Sequence, residues 1–152
     1  MKLQQLVTLI AFLFATAAAN AGAWGYKSFE NDDALDWIAN SLTPDGQSAV
    51  EKTITSVAKG RGYLEAPDGS SAIAACEVLA AAQGRPSHDL PKDVAALAKK
   101  LSSKPSDSIR NSARKALERI LGEESELNAL WKDAKGDFEK WKKMVEDLKS
   151  RV

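Results

Sequence analysis

The chain has 152 residues, with 21 basic and 21 acidic side chains. This balance excludes a strongly basic protein of the kind that binds nucleic acid or an anionic membrane surface through charge alone. The single cysteine, Cys76, excludes an intramolecular disulfide. One histidine and one cysteine are also too few for a tetrahedral zinc site, so we expect neither a metal nor another cofactor.

Residues 1–21 have the order of a secretory signal peptide. Lys2 precedes an apolar run over residues 6–19, which is shorter than the ~20 residues that span a bilayer. The sequence Ala-Asn-Ala then ends at Ala21, where we predict cleavage. The alternative is a retained anchor. Cleavage predicts an exported protein, periplasmic or secreted, without a stable membrane anchor. We also expect a monomer.

Apolar residues recur every three or four positions after Ala21, and few stretches alternate with a period of two. This pattern predicts a single compact all-α domain of five to seven short helices over residues 22–152. The predicted helices cover residues 32–42, 47–59, 70–83, 91–101, 107–121 and two parts of 124–152 divided at Gly136. On the first of them, we expect Leu35, Ile38 and Leu42 to face the core.

An acidic cluster, Asp32, Asp33 and Asp36, lies at the start of the first predicted helix, after Asn31 as the predicted N-cap. Asp32 and Asp36 are four residues apart and share a helix face, so they can hold a cation or work as acid and base. Acidic residues in a first turn also complement the helix dipole, which is the simpler interpretation. A further possibility is that the cluster binds a basic site on another protein.

Glu77 is the only charged residue in the predicted helix 70–83, whose other residues are mostly small and apolar. A helix that is apolar on nearly every side is typical of the centre of a fold. Glu77 is therefore a candidate buried polar residue, and a buried carboxylate needs a partner. Arg61 and Arg85, in the flanking loops, are the candidates for that partner. The alternative is that Glu77 lies on an exposed strip of the helix.

His88, the only histidine, lies in the loop sequence Arg-Pro-Ser-His-Asp-Leu-Pro. Ser87 and Asp89 flank it, but adjacent residues seldom converge on one reacting atom. We therefore predict a solvent-exposed loop histidine and no catalytic residue.

Several blocks of residues 22–152 resemble a bacterial family catalogued as domain of unknown function 4259 (DUF4259). The most specific blocks are NDDALDW, starting at Asn31, and YLEAPDGS, starting at Tyr63; GAWG at Gly22 and the closing segment also match. The resemblance implies a fold family and no activity. It also implies that relatives begin with Gly-Ala-Trp-Gly directly after the initiator Met, mostly without an export signal.

Cleavage after Ala21 would therefore leave Gly22 at the N-terminus, as removal of Met does in those relatives. We hypothesise that the Gly22 amino group is structural, folded with Trp24 and Phe29 into the core and paired with Glu77 or Asp36. The alternative is that this motif only marks the start of the domain, with Trp24 as its anchor.

The functional expectation is a non-catalytic exported protein that binds another protein, as an immunity or inhibitor protein does, through Asp32, Asp33 and Asp36. One alternative is a hydrolase that uses Asp36 and Glu77, with Glu65, on a glycan or peptide. Another is a structural envelope protein. A concave pocket in which two of these carboxylates converge would favour the enzyme, and scattered carboxylates would favour binding.

Overall fold

The computed structural model describes residues 22–152, so the predicted signal peptide and the cleavage site after Ala21 lie outside the described residues. The described part confirms the all-α class, with seven helices and only two isolated β-bridges. The helices are α1 (Asp32–Ser41), α2 (Gly46–Lys59), α3 (Ala66–Ala82), α4 (Lys92–Ala98), α5 (Asp107–Ile120), α6 (Glu126–Asp133) and α7 (Phe138–Arg151). Within this range, none of the helices combines the length and the apolar character needed to cross a membrane.

Helix α3 occupies the centre of the fold, as its apolar composition predicts. It is in contact with all the other helices, and every residue from Ala72 to Ala80 is buried. Small alanine side chains let neighbouring backbones approach closely, and the removal of apolar area from water on all sides stabilises the arrangement. The buried stretch of α3, residues 72–80, thus lies in the core, and Glu77 is its only charged residue.

Helix α3 begins four residues earlier than the sequence predicts, at Ala66 instead of Ser70. Pro67 lies in the first turn, where its missing N–H would have no helical partner in any case. A Cβ atom at Gly69 would lie 2.8 Å from Leu127 Cδ1, so the glycine permits α6 to pack closely on this turn. Tertiary packing therefore stabilises a helical conformation in a Pro-Asp-Gly sequence whose local preference is for a turn.

The other helix boundaries lie close to those predicted, with α4 as the main exception. Asn31 is the N-cap of α1, because its side chain accepts a hydrogen bond from Ala34 N at 2.8 Å. Gly136 has a φ of 109° and lies in the break between α6 and α7. Helix α4 ends at Ala98, three residues before the predicted end at Leu101.

The orientation of α1 differs from the prediction at Leu35. The buried stripe runs through Ala34, Ile38 and Ser41, whereas Leu35 is 38% exposed. Residues three and four apart share a helix face, so Leu35 lies on the outer face together with Asp32. The prediction that Leu35 faces the core was wrong.

The segment before α1, residues 22–31, folds back on itself by backbone hydrogen bonds. Trp24 N donates to Glu30 O at 3.0 Å, and Asp32 N donates to Gly22 O at 2.9 Å. The predicted burial of Trp24 is wrong, since its side chain is 61% exposed. Phe29 is half-buried and packs against the core. Because the segment pairs with itself and Phe29 covers the core, Trp24 remains in solvent.

Candidate functional site

A groove of about 570 Å³ lies between the segment before α1, the loop that follows α3, and α7. Glu77, on α3, lines its floor and is 1% exposed. The groove is therefore the place where a buried carboxylate comes nearest to solvent, and we call it the Glu77 groove.

Both carboxylate oxygens of Glu77 accept hydrogen bonds. Arg151 Nη1 donates to Oε2 at 2.9 Å and Arg151 Nη2 donates to Oε1 at 3.0 Å. Ser28 Oγ donates to Oε1 at 2.8 Å. A bidentate guanidinium together with a hydroxyl compensates the desolvation of a buried carboxylate. The arrangement has the character of a structural ion pair that joins α3, α7 and the segment before α1.

Arg151 is held in turn by further contacts. Its Nε donates to Asp147 Oδ2 at 2.8 Å, one helical turn earlier, and its Nη1 donates to the Arg85 carbonyl at 3.1 Å. Burial acts to lower the pKa of Arg151, but hydrogen bonds and charge attraction from Glu77 and Asp147 outweigh it and raise the pKa. The guanidinium therefore remains charged beside the Glu77 carboxyl group.

The predicted partners of Glu77 were wrong. Arg85 contributes only its backbone carbonyl, which binds Arg151, and Arg61 is exposed and does not line the groove. The true partner lies 74 residues away in the sequence. One signal was available: Arg151 lies on the last turn of α7, between the buried residues Leu148 and Val152.

The carboxylate that lies against Gly22 is that of Asp32, and the pairing of a free Gly22 amino group stays a prediction. Glu77 binds Arg151 and Ser28, whereas a Cβ atom at Gly22 would lie 3.5 Å from Asp32 Oδ2. Gly22 therefore lies against Asp32, because the hydrogen bond from Asp32 N to the Gly22 carbonyl brings the two residues together.

The other carboxylates that line the Glu77 groove also have donors. Lys27 Nζ forms an ion pair with Asp89, and this hydrogen bond is the main cause of the lowered pKa of Asp89. Glu30 Oε2 accepts from Lys27 N at 3.1 Å. Asp147 accepts from Arg151. Each of these three carboxylates thus has one oxygen bound to a donor.

His88 is exposed at the edge of the same groove. Within residues 22–152, no side-chain hydrogen bond joins it to Ser87 or to Asp89, and the Asp89 carboxylate binds Lys27 instead. Ser87, His88 and Asp89 therefore do not form a hydrogen-bonded triad of nucleophile, base and orienting acid.

The carboxylates proposed for a hydrolase do not converge in the groove. Asp36 lies on the exposed side of α1, and Glu65 is exposed just before α3. Neither residue lines the groove that contains Glu77. Among residues 22–152, no three His, Cys, Asp or Glu side chains come together closely enough to hold a metal ion.

Cys76 is buried in α3 next to Glu77. Burial, with a smaller contribution from the Glu77 charge, raises the pKa of the thiol. Because the thiolate is the nucleophilic form, Cys76 is an inert core residue in the folded chain.

A second surface, which we call the acidic face, consists of Trp24, Asp32, Asp33, Leu35 and Asp36. Asp32 and Asp36 are exposed and Asp33 is half-buried. Burial raises the pKa of Asp33, and the charges of Asp32 and Asp36 raise it further. Within residues 22–152, none of the three carboxylates forms a salt bridge.

The domain of unknown function family DUF4259 has a model that matches residues 22–144, which cover all of α1 to α6 and half of α7. No curated protein and no solved structure matches the chain. The family model therefore supports the resemblance without supplying an activity.

Proposed function

The chain belongs to the DUF4259 family, and we propose that it is an exported, non-catalytic protein that binds a basic site on another protein through its acidic face. It would act as an immunity or inhibitor protein does, by covering a functional surface of its partner. The proposal concerns residues 22–152, released after export and cleavage behind Ala21.

The observation that carries the proposal is that, among residues 22–152, one surface combines carboxylates that form no salt bridge with exposed apolar area. Asp32, Leu35 and Asp36 are three and four residues apart and share one face of α1. Leu35 is 38% exposed on that face. Carboxylates without cationic neighbours attract a basic partner and speed its approach.

Trp24 adds a binding anchor to this charged surface. The backbone bridge between Ala23 and Asn31 places the Trp24 segment beside the start of α1, and the indole is 61% exposed. Tryptophan is enriched among the residues that dominate binding energy at protein interfaces. Charge complementarity around a tryptophan anchor supports a protein partner with a basic rim and an apolar pocket.

The hydrolase alternative has less support from the Glu77 groove. A carboxylate that acts as acid, base or nucleophile must reach the reacting atom. Glu77 is instead bound at both oxygens by Arg151 and Ser28, and Asp36 lies elsewhere on the surface. Asp36 and Glu77 therefore do not converge in the groove, which favours the binding proposal.

The test is affinity capture from periplasmic extract and culture medium, with protein expressed from the full sequence as bait. The bait is compared with a charge-neutral variant, Asp32→Asn/Asp33→Asn/Asp36→Asn. The matched control removes three exposed carboxylates far along the chain: Glu123→Gln/Glu124→Gln/Glu139→Gln. We expect one stoichiometric partner that the wild type and control retain and the acidic-face variant loses.

Salt gives an independent check on the same complex. Raising the ionic strength shortens the Debye length from about 10 Å at 0.1 M to about 3 Å at 1 M, so it should weaken a charge-dependent complex. Retention of the partner by the acidic-face variant, or capture of no partner at all, would overturn the proposal. The second result would favour the structural envelope alternative.

A further inference from the structure

A second groove, of about 480 Å³, lies on a different part of the molecule, where the end of α3, the loop before α5, the first turns of α5 and the end of the chain meet. Four basic residues line it: Arg85, Lys104, Arg110 and Arg114. We call it the basic groove. It shares no lining residue with the acidic face, and nothing in the proposed function uses it.

Local backbone structure positions the basic residues of this groove. Gly84 has a φ of 79°, a conformation that favours glycine, and ends α3. Gly84 N donates to Ala81 O and Arg85 N donates to Ala80 O, which is the hydrogen-bond pattern of a Schellman motif. The motif fixes the backbone of Arg85 at the edge of the groove.

Helix α5 supplies two further basic side chains of the groove. Arg110 and Arg114 are four residues apart and share a helix face. The start of that helix is set by Ser106, whose Oγ accepts from Ile109 N at 3.3 Å. Like charges one turn apart destabilise a helix slightly, and a bound anion would relieve that repulsion.

The acidic groups at the basic groove are fewer than the basic ones. Arg110 forms an ion pair with Asp107, whose side chain is 83% exposed and therefore well screened by water. Arg114 Nη2 donates to the backbone carbonyl oxygen of Val152. Lys104 forms no salt bridge within residues 22–152. Within residues 22–152, the salt bridges of these four basic residues thus involve one carboxylate, that of Asp107.

We propose that the basic groove binds a small multivalent oxyanion, with a phosphate group as its recognised part. The planar guanidinium groups of Arg110 and Arg114 match two oxygens of a phosphate, and Lys104 and Arg85 add charge around it. The lining is mainly polar, which fits a hydrophilic ligand.

The test is calorimetric titration of the protein, expressed from the full sequence, with pyrophosphate and with inorganic phosphate in low-salt buffer. We expect saturable binding at one site and tighter binding of pyrophosphate. The variant Lys104→Gln/Arg110→Gln should bind pyrophosphate at least about tenfold more weakly, since hydrogen bonds to charged groups contribute about 1.5–3 kcal/mol. The control Lys132→Gln/Lys135→Gln removes two exposed charges elsewhere and should bind as the wild type does.

A flotation arm with phosphatidylglycerol vesicles identifies the source of the phosphate. Vesicle binding that pyrophosphate displaces would assign a lipid headgroup, and pyrophosphate binding without vesicle binding would assign a soluble phosphate compound. Circular dichroism melting confirms that both variants are folded. The absence of saturable binding by the wild type, or equal weakening in the control variant, would overturn the proposal.

Discussion

The Glu77 groove and the acidic face use carboxylates in opposite ways. Glu77 is 1% exposed and is bound by one guanidinium and one hydroxyl. Asp32 and Asp36 are exposed, and among the described residues they have no cationic partner. The same chemical group therefore joins three segments of the fold at one site and leaves an unbalanced charge at the other.

The difference follows from solvation. A carboxylate removed from water destabilises the fold unless ion pairing and hydrogen bonds compensate it, so the groups around Glu77 must be supplied by the fold itself. An exposed carboxylate keeps its water, and leaving it unpaired costs little. Stability should therefore depend on the first site, and partner binding on the second.

The largest effect on stability is expected at Arg151. Arg151→Met leaves Glu77 buried without its guanidinium and should lower the free energy of unfolding by about 3 kcal/mol. The double variant Glu77→Leu/Arg151→Met removes both charges and should recover most of that loss. Urea denaturation of both variants and the wild type measures the effect.

Lys149→Met is the control for this first experiment. It breaks an ion pair between Lys149 and Glu118 on the surface, where the side chains are 36% and 57% exposed. This change should cost less than about 1 kcal/mol. If the double variant is no more stable than Arg151→Met alone, the unpaired charge is not the cause of the loss.

For Trp24→Ala we expect a small effect on stability and a large effect on partner binding. The indole is 61% exposed, so its removal should change stability by about 1 kcal/mol or less. Binding of the captured partner should weaken by about 2 kcal/mol or more, roughly thirtyfold, if Trp24 is the interface anchor. Surface plasmon resonance against the purified partner gives the affinity, and urea denaturation gives the stability.

Tyr63→Ala provides the matched control, because Tyr63 is an aromatic residue with a similar exposure of 58%. It lies outside the acidic face and should leave partner affinity unchanged. Equal weakening by both substitutions would show that the loss is not specific to Trp24 and would remove the anchor from the proposed function.

The smallest effect concerns the pKa of Asp33, which burial and the charges of Asp32 and Asp36 raise. The folded chain then binds this proton more readily than the unfolded chain. The cost to stability is present at neutral pH and disappears as the pH falls below the unfolded value of about 3.9. Asp36→Asn should lower the pKa of Asp33 and slightly stabilise the fold at pH 7 but not at pH 3.

Carbon-13 NMR titration of the Asp33 carboxyl measures that shift. Asp93→Asn, which removes an exposed carboxylate from α4, should leave the pKa of Asp33 unchanged. A basic partner bound to the acidic face should also lower this pKa, because an added positive charge favours the ionised carboxyl. An unchanged pKa in Asp36→Asn would mean that the charges of the acidic face do not interact.

Several features of the site could be predicted from local sequence. The N-cap at Asn31 and the break at Gly136 depend on the residue and its nearest neighbours. The central position of α3 follows from its composition. By contrast, the α1 register around Leu35 was predicted incorrectly, because both Leu35 and Ala34 fit an apolar stripe and only packing against α3 selects one of them.

The sequence by itself determined the helical class, the division into short helices, the family, and the presence of one charge in the most apolar helix. Periodicity, helix caps and composition depend on residues that are close together in the sequence, so they can be recognised from the amino-acid sequence alone. Only the tertiary structure decided that Arg151 pairs with Glu77, that Trp24 is exposed, and that Arg85 and Arg110 line one groove. Those outcomes depend on contacts between segments that are far apart in the sequence. Which of these contacts form is decided by the packing of the whole core.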